Sequence, residues 1–232
     1  MAETLEYPTY DAIARRIAAT GLAARGGFHP SAEDGLPGAA RTLVLIGDRG
    51  GVLWSRFASE RKDEADPLDT WTRRVLERVA EDIEATVIYP FDGPPHWPFQ
   101  KWAMRAEGLK PSPVGPLIHP EFGLWHSYRG ALLFSDEIAL PSPPVTAHPC
   151  DNCAERPCLA ACPVDAFAGD VFALAACIDH QESALGDACR DGGCLARRAC
   201  PVGAGHAYAP DHMAFLQAAF LKTFGGKAAG RA

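Results

Sequence analysis

All eight cysteines of this chain fall between Cys150 and Cys200, and the 149 residues before them contain none. That confinement splits a 232-residue, 47% hydrophobic chain into a part that can fold on apolar side chains and a part that gathers thiols, two modules being within reach of this length. The stretch from Leu140 to Pro149 holds four prolines in ten residues, which removes backbone donors and favours an extended connection. The expected domains are therefore 1–145 and 146–232. Met1 to Arg16 opens with Glu3 and Glu6 and has no apolar core, so it reads as neither a secretory signal nor a membrane span. A cytoplasmic location follows, where thiols stay reduced and clustered cysteines point to metal rather than to a disulfide scaffold.

The spacing narrows the metal. The first run is Cys150, Cys153, Cys158 and Cys162 followed by Pro163; the second is Cys189, Cys194 and Cys200 followed by Pro201; Cys177 stands between them. This resembles the two-cluster bacterial ferredoxins, whose CxxCxxCxxxCP run gives three thiolates to one cubane and sends the fourth to the other. By that pattern Cys150, Cys153, Cys158 and Cys200 hold one 4Fe-4S cluster, and Cys162, Cys177, Cys189 and Cys194 the second. No cysteine is left over. The runs are longer than the ferredoxin pattern, with Glu155-Arg156-Pro157 and Arg197-Arg198 as the insertions. A pair of zinc sites is the alternative, since CxxC also serves zinc.

The first 149 residues alternate between helical and extended patterns. Thr9 to Ala24 carries Ile13, Ile17 and Leu22 at helical spacing, with Gly26-Gly27 as a stop. Thr42 to Gly47 is a buried strand by its unbroken apolar run, and Asp69 to Ile83 is an amphipathic helix with Asp69 as N-cap. Ala85 to Pro90 predicts a strand, Phe99 to Glu107 a helix, and Gly130 to Phe134 a last strand. The expected fold class is α+β, with helices layered on a sheet. Beyond the cysteines, Asp211 to Phe224 reads as an amphipathic helix returning to the body, and Gly225 to Ala232 as frayed.

A formal charge of -7 and a pI near 5.6 give no basic field for a phosphodiester backbone, so nucleic acid is not expected as a partner. Gly47-Asp48-Arg49-Gly50-Gly51 follows a strand without GxGxxG spacing, which argues against a dinucleotide fingerprint. The sequence has no Asp-x-His-x-x-Gly stretch of the kind that donates a histidine to cobalt.

Two resemblances address the group that receives the electrons. His119-Pro120-Glu121-Phe122-Gly123-Leu124-Trp125-His126-Ser127-Tyr128-Arg129-Gly130 resembles the HPRFGGWFAIRG segment of the CblC cobalamin-processing family, Asp66-Pro67-Leu68-Asp69 looks like its DPVD helix start, and Ile138 to Pro144 is similar to its IEVPDLPP stretch. His119, Pro120, Phe122 and Gly123 match directly, whereas Glu121, Leu124, His126 and Tyr128 replace Arg, Gly, Phe and Ile. The cysteine module, with its isolated Cys177, resembles that of epoxyqueuosine reductase from about Gly123 to Gly203. The resemblances imply a flavin-reductase or nitroreductase-like N-terminal domain, a ferredoxin-like C-terminal domain, and cobalamin as the shared cofactor. His119, Phe122, Gly123, Trp125 and Arg129 would then contribute to its pocket, with Trp125 as a wall and Arg129 on an anionic group or thiol co-substrate. Taken by themselves, Trp125 and Phe122 read as core aromatics and Arg129 as a salt-bridged residue.

The function so implied is an oxidoreductase that takes electrons from a low-potential ferredoxin or flavodoxin, reduces base-off cobalamin and removes its upper ligand. The alternatives are reduction of a separate substrate in the manner of epoxyqueuosine reductase, and an electron-transfer module holding FMN without turnover. Proline-rich arms would permit a homodimer by exchange.

Overall fold

The structure is a computed structural model that describes residues 9–169 and 171–228. The reading of the N-terminus up to Pro8 and of fraying beyond Ala228 lies outside the described residues. The chain divides into two compact units, Met1–Leu109 with Ser127–Thr146, and Lys110–His126 with Ala147–Ala232. The proline-rich stretch does reach the boundary at Thr146. Lys110–His126, which the sequence grouped with the N-terminal domain, belongs with the cysteines instead.

The first unit is built on a four-stranded sheet of order β1-β2-β6-β3, made of β1 (Ala23–Phe28), β2 (Thr42–Arg49), β3 (Thr86–Ile88) and β6 (His126–Phe134). The pairs β1/β2 and β3/β6 are antiparallel. In β2 the run Leu43-Val44-Leu45-Ile46 is 0% exposed, as a central strand covered on both faces requires. Helix α1 (Tyr10–Ala18) starts where the Thr9 hydroxyl accepts Ala12 N at 3.3 Å, an N-cap, and buries Ile13 and Ile17. Helix α3 (Pro67–Asp82) buries Leu68, Trp71, Leu76 and Val79. Helices α2 (Leu53–Glu60) and α4 (Phe99–Glu107) complete the layer.

Two expectations change here. Gly26-Gly27 does not stop a helix but lies inside β1, where the register with β2 shifts between Ala24 and Gly27. Gly26 takes a φ of 66°, and a Cβ on Gly27 would sit 2.3 Å from the Leu43 carbonyl oxygen. The pair thus makes a bulge that only glycine allows. Asp69 is not the N-cap of α3; that position is Asp66, in the left-handed region and without a side-chain cap bond.

Among the described residues of the second unit, β4 (Lys110–Pro111) pairs antiparallel with β5 (Leu117–Ile118). Its helices are α5 (Pro157–Ala160), α6 (Leu174–Glu182), α7 (Asp187–Arg190), α8 (Leu195–Arg198) and α9 (Pro210–Ala228). Helix α9 packs on α6 and α7 and continues through Gly225 to Ala228, where fraying was expected. No helix among the described residues is long and apolar enough to cross a membrane. The whole is a mixed α+β fold with a small antiparallel sheet.

Candidate iron-sulfur site

The second unit is organised by a repeated turn. Cys162-Pro163-Val164-Asp165-Ala166 and Cys200-Pro201-Val202-Gly203-Ala204 are the same five residues with one exchange. Each begins two residues after a one-turn helix, α5 or α8, and each has a left-handed fourth residue, Asp165 at φ 48° and Gly203 at φ 69°. Proline ends the preceding turn. Backbone N–H groups of each turn face its cysteine sulfur: Ala166 N, just past the left-handed Asp165, donates to Cys162 Sγ at 3.3 Å, and Val202 N–H, just before Gly203, is directed at Cys200. The sequence contained this repeat, but attention to cysteine spacing alone passed over it.

The thiols sort into two sets. Burial pushes the Cys150 thiol up, and its neighbours Cys200, Cys158 and Cys153 push the same way. Cys200, also raised by burial, has Cys158 and Cys153 beside it. Burial likewise raises Cys177, whose charged neighbours are Cys194, Cys162 and Cys189, and Cys194, whose neighbours are Cys189 and Cys162. The two CP cysteines are exchanged between sets: Cys162 ends the first run but lies with the second set, and Cys200 the reverse. Helices α5 and α8 pack against each other, which brings the runs within reach of this crossing.

Around the second set there is a cavity of about 390 Å³ lined by Cys162, Cys177, Cys189 and Cys194. Phe167, Phe172 and Phe220 make much of its apolar wall. Val114, Ile118 and Leu124, all from Lys110–His126, share a core cluster with Cys158 and Cys200. Four thiols around an apolar cavity, with N–H groups directed at sulfur, are a set of donors that could hold a cubane cluster. Among the described residues no group of three or more His, Cys, Asp or Glu side chains is gathered for a single metal ion. Burial raises the Cys177 and Cys194 thiols, so binding a metal there displaces protons.

The HPEFG motif is taken up in the same unit. His119 and Gly123 close a tight turn through two backbone hydrogen bonds of 2.8 and 2.9 Å, and His119 Nδ1 accepts Glu121 N and Phe122 N at 3.1 Å each. Gly123 has φ 56°, and a Cβ there would lie 1.8 Å from the Val202 carbonyl oxygen. The turn therefore seats backbone to backbone on the loop that follows Cys200. Gly123→Ala is expected to push this loop away and strip iron from the set containing Cys200; full iron content in the variant would count against this buttressing role.

Trp125 is 1% exposed. Its ring packs on Tyr208 at 5.3 Å and beneath the Arg197 guanidinium at 4.6 Å. Arg197 itself donates to the Leu124 carbonyl oxygen at 3.1 and 2.6 Å. Arg129 belongs to the first unit, where it is ion-paired with Asp69, approaches Thr72 Oγ1 at 3.4 Å and lies over Phe91. The structure thus brings His119, Phe122, Gly123 and Trp125 together in one unit and puts Arg129 in the other. Arg129→Gln is expected to cost about 0.5–1 kcal/mol of stability through loss of the pair with the part-exposed Asp69 carboxylate, read as a lower unfolding midpoint; an unchanged midpoint would contradict it.

Spacing missed Gln181 and Gln217. Gln181, 1% exposed, donates from Nε2 to Cys177 Sγ at 3.3 Å, and Gln217 Nε2 donates to Gln181 Oε1 at 3.0 Å and to the Cys189 carbonyl at 3.2 Å. The usable signal was the i, i+4 relation of Cys177 to Gln181 on one helix face.

Among solved structures the chain is similar in fold to epoxyqueuosine reductases. One is bound to an epoxyqueuosine-modified tRNA-Tyr stem loop, with TM-score 0.51, 15% identity, and 86% of this chain and 66% of that one covered. A second, from Bacillus subtilis, gives TM-score 0.52, 15% identity and the same coverage. A third, selenomethionine-labelled, gives TM-score 0.52 and 16% identity over 88% of this chain and 68% of that one. The chain thus spans just under two thirds of the length of the first two. No protein-family model and no curated protein matches it in sequence.

Proposed function

We propose that the chain is an iron-sulfur reductase with two 4Fe-4S clusters in its second unit, one on Cys150, Cys153, Cys158 and Cys200, the other on Cys162, Cys177, Cys189 and Cys194. The sorting of the thiols into two sets, each with N–H groups turned toward sulfur, is the observation that carries this reading. Bound there, the clusters supply electrons one at a time. The protein's own part is to hold the thiolates, to exclude water with Phe167, Phe172 and Phe220, and to direct hydrogen bonds at sulfur. A ferredoxin or flavodoxin of low potential in the cytoplasm is the proposed donor.

The fold likeness supports delivery to a separate substrate, the role the epoxyqueuosine reductases' name describes, over removal of an upper ligand from cobalamin. Cobalamin processing rests on the CblC-like motif, and several residues of that motif are engaged in other contacts. Gly123 and Trp125 are buried in the second unit, His119 closes a tight turn with Gly123, and the Arg129 guanidinium is engaged by Asp69. Cobalamin and FMN as the acceptor group rest on sequence resemblance. With a net charge of -7, the substrate is proposed to be something other than a nucleic acid.

The test is anaerobic reconstitution, reduction by dithionite or reduced ferredoxin, and addition of hydroxocobalamin or FMN to separate samples. A reductase bleaches in its visible iron-sulfur band on reduction and recovers with an acceptor. A chain with full iron and sulfide that accepts no electron would contradict the reading, and recovery with hydroxocobalamin accompanied by ligand loss would return the cobalamin-processing alternative to first place.

A further inference from the structure

We infer that Gln181 is a positioning residue that sets the reduction potential of one cluster, and that Gln217 on the C-terminal helix fixes which end of its amide faces the sulfur. The inference rests on the cluster assignment proposed above. Gln181 lies one turn after Cys177 on α6 and is 1% exposed, so no water competes for its side chain. An amide can present either its NH2 or its oxygen to a neighbour, and the choice follows from the rest of the hydrogen-bond network. Here Gln217 Nε2 donates to Gln181 Oε1, which leaves Gln181 Nε2 to donate to Cys177 Sγ. The same Gln217 amide also donates to the Cys189 carbonyl, and Arg190 Nη1 donates at 2.6 Å to the Gln181 carbonyl, so side chain and backbone are both held.

Reduction adds an electron whose charge spreads onto the cluster sulfurs, and an N–H donor at a ligand sulfur stabilises that added charge. The donor therefore raises the potential of the cluster ligated by Cys162, Cys177, Cys189 and Cys194. Cys177 is the ligand outside both CP runs, and Gln181 gives it a side-chain donor where Cys162 and Cys200 have backbone ones. Helix α9 thereby acts on the cluster: Gln217 and Phe220 both line its cavity.

The experiment is a dithionite redox titration of the reconstituted full chain, followed by electron paramagnetic resonance, with iron content measured in parallel. Gln181→Met keeps the volume and removes the donor; Gln217→Leu leaves Gln181 in place but frees its amide. Gln181→Met is expected to make reduction of one cluster about tenfold less favourable, which for a one-electron couple is about 59 mV downward, and to leave the other cluster at its wild-type potential. Gln217→Leu should move the same cluster the same way by less. Wild-type potentials in both variants at full iron content would overturn the inference, as would a shift of both clusters together. If Gln181→Met loses iron, Gln217→Leu decides alone. A wild-type chain that assembles no cluster at all would instead defeat the underlying assignment.

Discussion

Replacing Cys177 by serine is expected to remove about four of about eight iron atoms per chain, with a matching loss of sulfide, and to leave the other cluster reducible. The prediction follows from the neighbours of Cys177, which include Cys162, Cys189 and Cys194. A serine hydroxyl at this half-buried position is a poor ligand for iron, and its neighbour Gln181 would keep donating toward an oxygen that no longer binds. Cys200→Ser should remove the other half of the iron, although Cys200 follows Cys189 and Cys194 directly in sequence. This crossing distinguishes a two-cluster ferredoxin arrangement from two sequential sites. Loss of all iron from Cys177→Ser in a chain that remains folded would show that the two sets are not independent.

The second large effect is expected in the first unit. Arg25 is 0% exposed and makes two 2.8 Å bonds to the Glu107 carboxylate at the end of α4, while its Nη1 donates at 2.7 Å to the Asp48 carbonyl. The Tyr128 hydroxyl donates to the same carboxylate, and burial with the nearby charge of Glu107 holds that phenol well above its ordinary range although Arg25 pulls it down. Strand β1, the end of β2, helix α4 and strand β6 thus meet on one guanidinium. Arg25→Leu leaves a carboxylate and a carbonyl facing an apolar side chain, and is expected to cost about 3–5 kcal/mol. The pair is not a large net stabiliser over a well-packed apolar substitute, but breaking one side of it is expensive. Arg25→Leu with Glu107→Leu should recover part of the loss. Denaturant unfolding of both variants checks this; an Arg25→Leu chain with the wild-type midpoint would sink it.

Much of the first unit was legible because its elements carry their own periodicity. The run Leu43 to Gly47 has no polar residue to place at a surface, and it lies in the covered strand β2; Phe99–Glu107 appears with the expected ends. What misled was local chemistry with two uses. A Gly-Gly pair that would end a helix also makes a bulge, and the partner strand decides which: the Leu43 carbonyl comes too close to Gly27 for any side chain. Asp69 has the form of a helix cap, but it is Arg129, distant in sequence, that engages its carboxylate.

The cysteine spacing suggested two sets of ligands, because a ligand run is a local property of the chain. The surroundings of those ligands were harder to read. Lys110–His126 joins the cysteine unit through the apolar side chains of Val114, Ile118 and Leu124 and through contacts of backbone on backbone, Gly123 against Val202 and Gly203 against Phe122; the latter leave no hydrophobic period to find. The HPEFG motif suggested a pocket by likeness; in the fold its turn seats on the loop that follows Cys200. Amide side chains such as Gln217 carry no spacing signal at all, and only the packing of α9 against α6 gives them a role.

The most direct test of the central claim is the iron and acid-labile sulfide content of the anaerobically reconstituted chain. The account predicts about eight of each per chain, halved by Cys177→Ser. About two zinc atoms per chain with no sulfide would contradict it and replace the reductase by a protein with two structural zinc sites.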